Sequence, residues 1–220
     1  MEHSSPIEAV RFDEHGLVPC VMQDWRTGEV LTLAYMNDEA LKRTRATGEV
    51  HFYSRSREEI WHKGQTSGNV QRVRQIRYDC DADALVALVD PAGPACHTGQ
   101  RTCFYRDLEG SADPAADAPP ADGEPTAATY EALPTLERTL LDRRQRRPDG
   151  SYTVELLDDP PRMADKVREE ADEVSRAAGS ESDERVVEEA ADVLYHLHVL
   201  LVSRGISIAS VLEMLNGRHR

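Results

Sequence analysis

The sequence has no apolar run near the ~18–20 residues that a membrane-crossing helix needs. Its first residues, Met1 to Val10, mix His, Glu and Pro where a secretory signal would carry a basic segment and then an apolar one. A cytoplasmic protein is the expectation. Cationic residues are scarce, with 26 Lys and Arg against 40 Asp and Glu and a net charge of −14. A nucleic-acid partner is therefore not expected, because backbone phosphates would be repelled. Cysteines number four, and in a cytosolic chain a disulfide framework is not expected from them. Three of the four, Cys80, Cys96 and Cys103, nevertheless crowd into 24 residues.

The rest of the composition is that of a globular protein, with 40% hydrophobic and 30% charged residues. A length of 220 residues leaves room for two small domains. Charge is uneven between the halves. Residues 1–107 carry 13 basic and 16 acidic side chains, and residues 108–220 carry 13 and 24. The basic groups of the first half can thus serve an anionic small molecule despite the overall acidity. Between the halves, residues 108–129 are rich in Ala, Pro, Asp and Gly, with five acidic residues and no Lys or Arg. So few large apolar groups predict a flexible acidic linker. The expected organisation is a domain at 1–107, the linker at 108–129 and a second domain at 130–220.

An α+β chain is predicted, β-rich at the N-terminus and all-helical at the C-terminus. Leu17–Gln23 and Val30–Tyr35 flank a hairpin connection at Asp24–Gly28. Asn37 caps a helix running to about Thr47, with Gly48 as its stop. Val50–Ser54, Val70–Tyr78, Leu85–Val89 and Thr102–Arg106 read as further strands. After the linker, helices are expected at Glu137–Arg147, Ala164–Ala178, Glu184–Ser203 and Ile206–Asn216.

Chemistry concentrates at Asp79-Cys80-Asp81-Ala82-Asp83. On an extended strand the three aspartates would share one face and Cys80 would take the other. Oxygen ligands in that number suit Mg²⁺, whereas thiolates of Cys80, Cys96 and Cys103 suit a zinc ion with one position open. Two plainer readings stay open on the residues alone. Asp-rich pentapeptides often form solvated turns, and unpaired cysteines often serve as small core residues, as expected for Cys20. Two further segments offer phosphate-binding chemistry through guanidinium, ammonium, hydroxyl and amide groups. They are Ser54-Arg55-Ser56-Arg57 and the stretch Lys63 to Asn69, with Thr66 and Ser67 inside it. A solvated basic loop is the competing account of each.

In the second half, Glu169, Glu170 and Glu173 share a predicted helix, and Glu189 and Asp192 lie three apart on the next. Spacings of three and four put these groups on common faces. Facing helices could then hold Mg²⁺ against a polyphosphate, or the two faces could simply be solvated.

Several strings together resemble the phosphoribosyl-AMP cyclohydrolase family of histidine biosynthesis. They are Gly16-Leu-Val-Pro, Gly28-Glu-Val-Leu, Ala34-Tyr-Met-Asn37, Phe52-Tyr-Ser-Arg-Ser-Arg57, Trp61-His-Lys-Gly-Gln-Thr-Ser-Gly-Asn69, Asp79–Asp83, Ala95-Cys-His-Thr-Gly99 and Cys103-Phe-Tyr105. The resemblance covers about residues 10–106, and its departures are Gln65 in place of Glu, Cys20 in its strand and Trp25 in the hairpin. It implies a homodimer with Zn²⁺ on Cys80, Cys96 and Cys103 shared between subunits, and Mg²⁺ on Asp79, Asp81 and Asp83. It also implies opening of the N1–C6 bond of the adenine ring by zinc-activated water, with His97 as the proton shuttle.

Gly150-Ser-Tyr-Thr153, Lys166–Val174 and Val187–His196 resemble the phosphoribosyl-ATP pyrophosphohydrolase family, within the all-helical MazG-like group. That resemblance implies Mg²⁺ at Glu169, Glu170, Glu173, Glu189 and Asp192, and hydrolysis between the α and β phosphates of phosphoribosyl-ATP. Its product is the substrate of the first domain, so a bifunctional hydrolase is expected. Two alternatives remain at this point. One is a pair of structural metal and interaction modules, and the other is a general nucleotide pyrophosphatase in the helical half.

Overall fold

The computed structural model describes residues 9–106 and 128–218. The chain divides between residues 127 and 128 into two compact units, and each is described by itself. Of the linker expected at 108–129, residues 108–127 lie outside the described residues. Ala128 and Thr129 open the helical unit, with a 3-10 turn over Thr129–Glu131.

The first unit is a six-stranded sheet with one helix. Its elements are β1 (Val18–Asp24), β2 (Val30–Met36), α1 (Asp38–Thr47), β3 (His51–Ser54), β4 (Glu59–His62), β5 (Gln71–Tyr78) and β6 (Leu85–Pro91), in the spatial order β4-β3-β2-β1-β6-β5. The β1/β6 pair is parallel and every other pair is antiparallel. Contacts between residues far along this order curl the sheet towards a half-barrel. Val50 donates its N–H to the Gln71 carbonyl at 3.0 Å, and Glu49 bridges Arg72.

Alternation along β1 sends Val18, Cys20, Met22 and Asp24 inward. The apolar three pack with Leu31, Met36, Leu41, Phe52, Leu85 and Val89 into one core. Full burial of such side chains stabilises by about 1.5–3 kcal/mol each. Cys20 is part of this core as expected, and burial pushes its thiol up to about 12 against a hydrogen bond from the Ala87 backbone. Helix α1 starts and stops on its predicted residues. The Asn37 side chain accepts from the Ala40 N–H at 2.8 Å, and Gly48 closes the helix at φ +70°.

The second unit holds α2 (Ala132–Arg146), α3 (Tyr152–Asp158), α4 (Pro160–Ser180), α5 (Asp183–Ser203) and α6 (Ile208–Arg218). Helix α3 starts within the Gly-Ser-Tyr-Thr stretch and runs past it where no helix is expected, because seven residues are too few to display a 3.6-residue period. Helix α4 begins four residues before the predicted Ala164, since Asp159 caps it and two prolines fill its first positions. The core is Leu140, Leu156, Met163, Val199 and Val202. Among the described residues, no single helix is long and apolar enough to cross a membrane.

His198 on α5 is also buried, at 1% exposure, and neither ring nitrogen has a hydrogen-bond partner. The Glu137 carboxylate lies 4.0 Å from Nε2. Burial lowers its pKa, with Glu137 acting in the opposite sense. Below the unfolded value of about 6.5 the unfolded chain binds a proton that the folded chain resists, so stability is lost as pH falls. The thermal midpoint of the helical unit should therefore drop between pH 7.5 and pH 5.5. In His198→Leu the drop should be smaller, and an identical pH profile in both proteins would refute this assignment.

Candidate functional site

Two acidic or thiol-bearing sites lie in the first unit, at opposite ends of β6. Strand β5 ends at Tyr78 and β6 starts at Leu85, and the chain reverses between them. Of the two readings left open for the aspartates, this is the turn rather than the extended strand. Ala82 takes the left-handed φ of +64°, and the Asp79 carboxylate accepts from the N–H groups of Asp83 (3.0 Å) and Ala84 (3.2 Å). An Asp that captures backbone amides a few residues ahead makes a turn more favourable than strand pairing. The turn still gathers the carboxylates, since oxygens of Asp79, Asp81 and Asp83 all lie within 4.8 Å of one another, and all three residues are exposed. Burial opposes ionisation of Asp79, yet the two backbone amides bring its pKa below the ordinary value. The charges of Asp81 and Asp79 raise that of Asp83. Such crowding is relieved by a hard cation, so the donor set fits Mg²⁺.

Beyond the other end of β6, the loop 92–106 carries Cys96, His97 and Cys103. The strand expected over Thr102–Arg106 does not form. Thr102 and Cys103 are instead fastened to β2 by isolated bonds, the Thr102 hydroxyl to the Val30 carbonyl at 2.7 Å and the Leu31 carbonyl at 3.2 Å, and the Cys103 N–H to the Leu31 carbonyl at 2.8 Å. Cys96 is buried, and the Thr98 hydroxyl donates to its sulfur at 3.1 Å. Burial works against a Cys96 thiolate, but bonds from Thr98 and Cys103 together with the Lys63 charge lower its pKa below the usual thiol value. For Cys103 burial dominates and raises the pKa. Two adjacent sulfurs of opposed pKa beside an ammonium group suit a soft cation such as zinc. His97 is exposed, with Nδ1 3.9 Å from the Cys96 sulfur.

Cys80 is not part of this pair. It sits in the aspartate turn with its sulfur 3.8 Å from Asp81 Oδ1. Seven residues of β6 at ~3.3 Å each put about 20 Å of strand between the turn and the Cys96 loop. Two ligands of one zinc can be only about 4 Å apart. One chain therefore supplies Cys96 and Cys103 to one place and Cys80 to another.

The two segments expected to bind phosphate are also separated. Ser54–Arg57 form the tip of the β3–β4 hairpin, and Lys63–Asn69 follow its base, four strand residues or about 13 Å away. At the tip, Arg55 lies over the Tyr35 ring at 4.0 Å and Arg57 pairs with Glu59 at 3.3 Å. At the base, Lys63 reaches the Ala95 carbonyl, which ties this segment to the Cys96 loop. Asn69 lies in a cradle of two glycines. A Cβ on Gly64 would sit 2.2 Å from its carbonyl oxygen and one on Gly93 2.3 Å from its Oδ1. Thr66 and Ser67 are exposed. Strand β4, which runs into the start of the Trp61–Asn69 motif, has no counterpart among the expected strands because four residues carry too little alternation.

Arg101 was not anticipated. Its guanidinium binds Glu29 at 2.7 Å and Asp24 at 2.6 Å, both buried, and so fastens the cysteine loop to the β1–β2 turn. Nothing in the local spacing signals a pair more than 70 residues apart in sequence.

In the second unit α4 and α5 form an antiparallel hairpin, turned at residues 181–182. This brings carboxylate oxygens of Glu170, Glu173 and Glu189 within 4.8 Å of one another, with Glu170 and Glu189 buried. Burial pushes the Glu189 pKa up, Arg185 pulls it down, and the charges of Glu173 and Asp192 push it up again. Glu169 and Asp192 are exposed and lie outside the close group. Three converging carboxylates on rigid helices fit Mg²⁺. Beside them, His196 faces the Asp192 carbonyl through Nδ1 at 2.9 Å and lies 3.6 Å from Glu170. In the neutral ring a carbonyl requires a proton on Nδ1, so Nε2 accepts from the Tyr152 hydroxyl at 3.1 Å. Tyr152 and His196 both belong to strings that carried the resemblance, without a role assigned to either.

Family models for phosphoribosyl-AMP cyclohydrolase and phosphoribosyl-ATP pyrophosphohydrolase match residues 32–105 and 133–219. Over nearly its full length the chain is similar to proteins named histidine biosynthesis bifunctional protein HisIE. The one from Bacillus subtilis is 46% identical over 213 residues, 96% of either chain. That from Thermus thermophilus is 46% identical over 97% of this chain and 94% of its own, and that from Aquifex aeolicus 42% over 96% and 98%.

Proposed function

Because the chain belongs to the family of histidine-biosynthesis bifunctional proteins, we propose that its two activities are carried by the side chains gathered at the two units' sites. The protein is a bifunctional hydrolase. It cleaves phosphoribosyl-ATP to phosphoribosyl-AMP and pyrophosphate, then hydrolytically opens the adenine ring of phosphoribosyl-AMP. It is an enzyme of a metal-dependent kind.

In the first unit, Cys96 and Cys103 hold Zn²⁺ together with Cys80 of a second copy of the chain, so the active form is a homodimer. The observation that carries this reading is the length of β6 between Cys80 and the other two thiols. Zinc, when bound, supplies a Lewis acid that makes water a nucleophile near neutral pH. Thr98 and Lys63 favour the Cys96 thiolate. His97, exposed beside that sulfur, moves the proton to and from the purine ring. Asp79, Asp81 and Asp83 hold Mg²⁺. Lys63, Thr66, Ser67 and Asn69 from one segment and Ser54, Arg55, Ser56 and Arg57 from the other bind the phosphoribosyl groups. With these segments separated within one chain, the dimer is also what would combine them around one substrate. Free thiols at these positions are consistent with a reducing cytoplasm.

In the second unit, Glu170, Glu173 and Glu189 form the inner ligand group for Mg²⁺, with Glu169 and Asp192 at its rim. His196, held by the Tyr152 hydroxyl and the Asp192 carbonyl, packs 3.6 Å from Glu170 on the buried side. The general nucleotide pyrophosphatase is the weaker reading, because the matched family is named for phosphoribosyl-ATP. Supplying phosphoribosyl-ATP with Mg²⁺ and Zn²⁺ should yield pyrophosphate and then the ring-opened product, whereas ordinary nucleoside triphosphates should release little pyrophosphate. Pyrophosphate without ring opening would confine the activity to the helical unit.

A further inference from the structure

The acidic group of the helical unit is not bare. Lys166 Nζ lies 2.8 Å from Glu170 and 2.9 Å from Glu169. Arg185 binds Glu189 and Glu188 and lies 3.5 Å from Glu181. Each cation thus grips one buried member of the close carboxylate group, Glu170 from α4 or Glu189 from α5, and at least one exposed neighbour. The arrangement neutralises two carboxylates that would otherwise repel across the helix hairpin, and it raises the pKa of Lys166.

A divalent ion held at ~2.0–2.1 Å by Glu170 and Glu189 would draw on the two carboxylates that these cations now neutralise. Beside a doubly charged ion on the same carboxylates, an ammonium or guanidinium group is repelled from its place. Both side chains have somewhere to go. Lys166 is 24% exposed and Arg185 50%, each on a flexible stem rooted one helical turn from its buried partner. Released from their buried partners, they would stand at the solvent-exposed rim of the loaded site, where phosphate oxygens of a polyphosphate arrive and compete with their exposed carboxylate neighbours.

On the reading that Glu170, Glu173 and Glu189 bind metal, we propose that Lys166 and Arg185 are placeholders for the cation and become the pyrophosphate-binding side chains once metal displaces them. Anion binding by the site is then conditional on metal. The two side chains also oppose metal binding in the absence of anion, so their removal has effects of opposite sign on the two ligands.

The test uses the full chain, with Mn²⁺ and pyrophosphate as probes in calorimetric titrations. Glu170→Gln serves as the background for Mn²⁺ bound elsewhere. In the wild type, pyrophosphate should bind only after Mn²⁺ is added. Lys166→Met and Arg185→Met should each tighten Mn²⁺ binding on the order of tenfold, by removal of a like charge. Each should weaken pyrophosphate binding to the Mn²⁺-saturated protein by about tenfold or more, by loss of a charge-assisted contact. Lys166→Arg should restore most of the pyrophosphate affinity. Merely structural ion pairs would predict weaker or unchanged Mn²⁺ binding and unchanged pyrophosphate binding. Either result in both folded Met variants overturns the proposal, as does wild-type binding of pyrophosphate without metal. If Glu170→Gln itself binds Mn²⁺ as the wild type does, the metal-site reading has failed instead.

Discussion

Cys96→Ser is expected to remove zinc and ring opening together while leaving pyrophosphate release intact. Serine replaces a polarisable thiolate with a hydroxyl that stays protonated near neutral pH, so the pair with Cys103 no longer offers two soft donors. The loss in ring opening should reach several orders of magnitude, on the scale of the bound-water activation that zinc provides. Metal analysis of the purified variant and an assay on phosphoribosyl-AMP check it. Full activity in zinc-free protein would sink the mechanism. A sharper form follows from the β6 separation. Cys80→Ser and Cys96→Ser should each be inactive alone, yet refolding an equimolar mixture should restore about a quarter of wild-type ring opening. Half of the randomly formed twofold dimers are mixed, and each mixed dimer has one intact site of two. No restoration would mean that all three ligands come from one chain.

Glu170→Gln and Asp192→Asn should each stop pyrophosphate release and spare ring opening of added phosphoribosyl-AMP. The substitutions keep side-chain volume and remove only charge, so the hairpin of α4 and α5 should survive, as helical circular dichroism would report. Glu170 belongs to the close carboxylate group, and its buried oxygen has no solvent to replace a lost metal bond. Asp192 stands at the rim near Glu189. Losses of about 10²–10³-fold or more are the scale for removing one electrostatic contact to a developing charge, and they should be larger for Glu170. Unchanged pyrophosphate release in both variants would refute the assignment, and loss of ring opening as well would point to general misfolding.

How much of this was legible without coordinates varied with the distance over which each feature is encoded. Helix α1 was readable to its ends, because Asn37 and Gly48 act on backbone groups within a few residues. The long helices α4 and α5 were readable from their apolar period, and the acidic spacing on them placed Glu170, Glu173 and Glu189 on faces that do meet. The short elements β4 and α3 were not, since four and seven residues carry too little pattern. The aspartate segment stayed open between an extended strand and a turn for a related reason. Alternation of residue type is also compatible with a turn, and the choice was made by the Asp79 carboxylate capturing the amides of Asp83 and Ala84.

The sequence by itself determined the family, the division into a β-rich and a helical half, and the identities of the side chains available for chemistry. All of these are written in local strings. Only the tertiary structure decided which of those side chains meet. It brought Glu170 and Glu189 together across a helix hairpin and gave each a resident cation. It joined Arg101 to Asp24 and Glu29 across more than 70 residues. It also held Cys80 a full strand away from Cys96 and Cys103. Neighbours in sequence share a local conformation, but proximity between distant residues depends on register and strand direction. Those are fixed only when the whole sheet closes over its core.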